Sequence, residues 1–105
     1  MWALKGALAM VMTYRLTPIN LDHESWKRSK VTKQTVTVLA HDCADARWRT
    51  MQATLELEYR PSPNLPQTSP WKLADVTSCE PDASAAPPPP DQVVSEDGTH
   101  WPVRL

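Results

Sequence analysis

Residues 35–60, TVTVLAHDCADARWRTMQATLELEYR, constrain the fold most, because a strand pattern there runs directly into an amphipathic helical one. From Thr35 to Val38 β-branched and apolar residues alternate, as a half-buried strand requires, and the strand reading extends to Ala40. His41 ends it. Asp42 suits a helix N-cap, since its short carboxylate can accept a backbone N–H of the next turn and faces the positive end of the helix dipole. Asp45, three residues on, makes an imperfect capping box, a position that prefers Glu or Gln. The spacing then puts Ala44, Trp48, Met51, Leu55 and Tyr59 on one apolar stripe, which predicts the face that packs on a sheet. Asp45 with Arg49 and Glu56 with Arg60 are acid-before-base pairs, each worth ~0.3 kcal/mol on an exposed surface. Pro61, Pro63, Pro66 and Pro70 forbid the helix to continue.

On either side the signals are shorter. Tyr14 to Ile19 alternates as a strand, with Pro18 confining it to an edge or marking its end. Residues 20–33 are polar and read as a loop, with one helical turn around His23 to Lys27 and Trp26 closing the loop over the core. After the irregular 61–70 segment, Val76 and Thr77 support a short strand. Asp82 to Pro90 is low in complexity and reads as a stiff spacer. Gln92 to Leu105 resembles a hairpin turning at Asp97-Gly98, with Pro102 in an edge arm. A lone hairpin is marginal in water, so this one has to add to the sheet or to another molecule, or else stay disordered until it meets one.

The expected architecture is α+β: a mostly antiparallel sheet of three or four strands, one amphipathic helix across one face, and a Pro-rich C-terminal tail. The strand-to-helix-to-strand connection leaves room for one parallel pair. The expected divisions are a poorly defined segment 1–12, a domain at 13–81, and a linker and tail with a terminal hairpin at 82–105. About 80 residues are then able to fold, and a domain that small buries only about 60–65% of its surface. Homo-oligomerisation or a partner is one way to cover the rest. Five tryptophans and no phenylalanine make large aromatic anchors the main core formers.

Composition also excludes functions. Two glycines leave no phosphate-cradling loop, the two cysteines and three histidines lack metal-site spacing, and no cofactor is implied. Two cysteines are too few for a disulfide framework, and the apolar run before Met12 is broken by Lys5 and Gly6, too short for a secretory or membrane segment. A cytoplasmic protein with no membrane association is the expectation, with Met12 as an alternative start to Met1. The formal charge of −1 conceals a basic first part and an acidic last one, since 61–105 hold two basic residues against six acidic ones.

The running order Thr17-Pro18-Ile19, His23 to Trp26, Val36 to Ala40, Asp45-Ala46-Arg47, Ser69-Pro70-Trp71, Val76 and Cys79-Glu80 is similar to that of a group of small bacterial proteins, many encoded in or near mobile elements. The likeness covers residues 13 to about 81, and departs at Glu24, where proline is usual, and in the long Pro-rich tail. No activity is assigned to the group, so the resemblance carries over neither a function nor a site.

Two sets of residues remain as sites. Trp26, Lys27, Arg28, Lys30 and Lys33 combine an aromatic ring with four cations within seven positions, a pattern suited to single-stranded nucleic acid or to an acidic partner. Cys43 stands at the helix start beside His41, where the dipole favours a thiolate while Asp42 opposes it; this is the reactive-thiol reading, against a small apolar residue at a helix start. Asp22, Glu24 and Asp75 form no arguable acid/base pair, and surface or capping roles suffice for them. The leading expectation is a non-enzymatic accessory protein acting by protein–protein binding through a sheet edge or its acidic tail. A nucleic-acid module on the basic loop and a thiol enzyme at Cys43 are the alternatives.

Overall fold

The structure, a computed structural model, describes residues 11–28, 33–58 and 69–103, with the backbone alone for Arg28 and for 55–58. Among these residues five strands make one sheet: β1 (Met12–Pro18), β2 (Val36–Ala40), β3 (Thr77–Pro81), β4 (Gln92–Ser95) and β5 (His100–Pro102), in the order β3-β1-β2-β4-β5. Helix α1 (Glu24–Arg28) falls between β1 and β2 in sequence, α2 (Cys43–Glu58) between β2 and β3, and a single 3₁₀ turn, Pro70–Lys72, leads towards β3.

The α+β class expected from the sequence is the class observed, with five strands in place of three or four. The difference is the C-terminal hairpin, which joins the sheet through β4 on β2 and so contributes both of its strands. No parallel pair forms among the described residues. β2 and β3 run in the same direction, as their connection through α2 allows, but β1 lies between them and pairs with each antiparallel. The apolar start of the chain, 1–10, and the Pro-rich stretch before Ser69 lie outside the described residues.

One face of the sheet holds the core. Pairing of Leu16 with Val36 and of Tyr14 with Val38 puts these four side chains on the same side, and Val93 and Ala40 complete it. Intervening Thr37 and Leu39 are only half-buried, the alternation of a sheet covered on one side. Two tryptophans from outside the sheet complete the core. Trp26 of α1 and Trp71 of the 3₁₀ turn are both fully buried and meet edge to face, ring centroids 5.0 Å apart. Trp26 Nε1–H also donates to the Val76 carbonyl at 2.7 Å. That bond connects α1 to the segment entering β3 and explains why a five-residue helix holds its place.

The helix itself is turned differently from the reading of its apolar stripe. Ala46, Thr50 and Thr54 are fully buried, whereas Ala44 and Trp48 are exposed and Met51 is half-buried. Leu55 and Tyr59, the remaining members of the stripe, fall outside the described side chains. Threonine is tolerated inside because each hydroxyl donates one turn back, Thr50 Oγ1 to Ala46 O at 2.8 Å and Thr54 Oγ1 to Thr50 O at 2.9 Å. With its hydroxyl satisfied, threonine behaves as a small apolar side chain and lets the helix lie close to the sheet, while Trp26 and Trp71 supply the bulk.

Candidate interaction surface

The start of α2 is fixed by its own sequence. Asp42 Oδ1 accepts the Asp45 N–H at 2.7 Å, and Asp45 Oδ2 accepts the His41 N–H at 3.0 Å, so the shorter Asp completes a reciprocal cap from the position where Glu is usual. Arg49 Nε then lies 3.1 Å from Asp45, and its Nη1 lies 2.9 Å from Asp91 at the entrance to β4. Asp91 sits in the left-handed region at φ 59, and its carbonyl accepts the Val103 N–H at 2.8 Å. Arg47 Nη1 donates to the Trp71 carbonyl at 3.2 Å. Both arginines therefore fix the roll of α2, one against the C-terminal hairpin and the other against the 3₁₀ turn. With the roll fixed, Trp48 points away from the sheet, 37% exposed.

The sheet edges offer less. Ile19 N–H bonds Val76 O and Asp82 N–H bonds Thr13 O, so alternate residues of β3 turn towards β1 and Thr77, Cys79 and Pro81 turn outward. Thr77 N–H is bonded to Leu73 O at 3.0 Å and Pro81 has none, which leaves the Cys79 N–H as the single outward donor of that strand. On β5, bonds from Ser95 to Thr99 and from Val103 to Asp91 turn His100 and Pro102 outward, again with a single N–H between them. A proline at an outward position on each edge makes both poor templates for an added strand.

The basic loop divides. Trp26 lies in the core, so its ring is not presented for stacking on a base. Lys27 and Lys33 are exposed; Lys30 and the Arg28 side chain fall outside the described residues. Elsewhere, Arg15 pairs with Glu80 and, at 3.2 Å, with Asp82. Arg15, Arg47 and Arg49 are thus all engaged within the chain.

At the strand-to-helix junction Cys43 is half-buried, and its polar neighbours include Tyr14 and Cys79. Burial, with Cys43, Asp42 and Cys79 nearby, pushes the Tyr14 hydroxyl up, and Tyr14 donates to His41 O at 3.4 Å. Burial, with Cys43 as hydrogen-bond neighbour, pushes the Cys79 thiol up to about 12. The Asp42 carboxylate that sequence reasoning set beside Cys43 is occupied by the cap. No group of three or more metal-ligating side chains occurs among the described residues, and no helix among them is long and apolar enough to cross a membrane.

The outer face of α2 was missed by sequence reasoning because its stripe was assigned to the core; the signal that could have found it is the competing row Ala46, Thr50, Thr54, also at four-residue spacing. Comparison of the chain with family models, with curated proteins and with solved structures finds no match in any of the three.

Proposed function

We propose that this chain is a non-enzymatic accessory protein that binds a protein partner through the outer face of α2, with Trp48 as the anchor. One observation carries the reading: the capped and ion-paired roll of α2 holds a tryptophan, flanked by Ala44 and Met51, on the side away from the sheet. Tryptophan at the centre of an apolar helix face is the residue type that dominates binding energy when it fills a partner's pocket. The chemistry favours protein over nucleic acid. Ala44, Trp48 and Met51 are uncharged, and Arg47 and Arg49 of the same helix are engaged with the chain's own groups, so this face offers a phosphate backbone little to pair with.

The partner is a protein presenting an apolar cleft wide enough for an indole. The test is capture by the full-length chain carrying a photo-crosslinking residue at position 48, with and without nuclease, beside Trp48→Ser. A protein cross-linked from position 48, retained after nuclease and weakened about 30-fold by Trp48→Ser, matching ~2 kcal/mol for a buried anchor, supports the reading. Recovery that vanishes with nuclease and follows alanine replacement of Lys27, Arg28, Lys30 and Lys33 overturns it in favour of nucleic acid. Cross-links only between copies of the chain would make the face a homodimer interface instead.

A further inference from the structure

We propose that Cys43 and Cys79 are a redox-active pair that closes to an intramolecular disulfide between the first turn of α2 and the edge strand β3. The placement follows from the fold. Cys79 stands opposite Leu16, which is fully buried, so it shares the side of the sheet that α2 covers. Cys43 is the first residue of α2, and both cysteines pack against the same core cluster. Tyr14, on the same face as Leu16, reaches the carbonyl of His41, two residues before Cys43. Strand register and this bond bring the cysteine of β3 and the start of the helix to one corner of the core, where both thiols pack. Both cysteines are half-buried and unbridged, so an oxidant can reach the corner.

The chemistry assigns an order to the two sulfurs. Burial pushes the Cys79 thiol up and so disfavours its thiolate, which leaves Cys43, in the first turn of α2, to attack first. With a low-molecular-weight disulfide such as oxidised glutathione, the Cys43 thiolate attacks one sulfur and breaks the S–S bond. One glutathione thiolate leaves and takes up the proton that Cys43 lost. Cys79 then attacks the Cys43 sulfur, its proton passing to the second glutathione as that departs. Two protein thiols are oxidised to one disulfide, and one small disulfide is reduced to two thiols. The bridge joins elements that are distant in sequence and restricts the unfolded chain, so the melting midpoint of the oxidised protein rises by roughly 10 °C or more.

Treating the full-length chain with oxidised glutathione at neutral pH, followed by peptide mass mapping without reduction, tests the pair. The expected product is a monomer lighter by two hydrogens, containing one cross-linked peptide that joins Cys43 to Cys79. Its midpoint is raised, and dithiothreitol restores both the mass and the midpoint. In Cys79→Ser the glutathione adduct stays on Cys43, whereas in Cys43→Ser the remaining Cys79 goes unmodified. The wild-type map decides the matter even if neither variant folds. A lasting glutathione adduct on the wild-type chain, a disulfide-linked dimer, or two unreacted thiols would each overturn the proposal.

Discussion

The side of α2 that meets the sheet carries Ala46, Thr50 and Thr54; the side turned away carries Ala44, Trp48 and Met51. By side-chain size and hydropathy the two look exchanged. The difference teaches that burial is decided by fit and by hydrogen-bond satisfaction as much as by apolar character. A threonine that donates to the carbonyl one turn back brings no unpaired hydroxyl into the core, and its small volume permits close approach to the strands. The volume that a large inner face would have filled is taken by Trp26 and Trp71, which arrive from α1 and the 3₁₀ turn.

The comparison breaks first at the two core tryptophans. Trp71→Ala and Trp26→Ala should each cost ~3–5 kcal/mol in urea unfolding, enough to leave a domain of this size largely unfolded. Thr50→Leu sharpens it from the opposite side: if the inner face is closely packed, the larger side chain should cost ~1–3 kcal/mol through overpacking, although leucine is the better helix former. The two indole N–H groups then differ from each other. Trp26 donates to Val76 O, whereas Trp71 Nε1 has no acceptor among the described residues. Trp26→Phe should therefore be more destabilising than Trp71→Phe, by ~1 kcal/mol or more in paired denaturation curves. The smallest effect belongs to the hairpin turn. The Ser95 hydroxyl and the Thr99 N–H hold the Asp97 carboxyl down at about 2. Because the folded value lies below the unfolded ~3.9, the contribution is present above pH ~4 and is lost as pH falls towards about 2. The melting midpoint of Asp97→Asn should lack that component of the acid-side decline.

Much of the fold was legible where one local signal had no competitor. The alternation at 36–40 became β2, the Asp42 cap formed with Asp45 reaching back, and Asp97-Gly98 marked a real turn, with Gly98 at φ 90. The roll of α2 was not legible, because two rows at helical spacing competed and the larger one was preferred; only the tertiary positions of Trp71 and Asp91, which bind Arg47 and Arg49, choose between them. The attachment of the hairpin to β2 is likewise a long-range pairing that local pattern cannot reveal. In the sequence Cys43 reads as a lone thiol at a helix start; Cys79 is brought to the same corner by the register of β3 on β1, which spacing in the chain does not disclose.

The outward placement of Trp48 is the centre of this account, and chemical denaturation of Trp48→Ala beside Trp71→Ala tests it most directly. With Trp48 outside the core, its removal should shift stability by no more than ~0.5 kcal/mol while Trp71→Ala loses ~3 kcal/mol or more. A loss for Trp48→Ala comparable to that for Trp71→Ala would mean that the large stripe is the packed face after all, and the proposed binding surface would go with it.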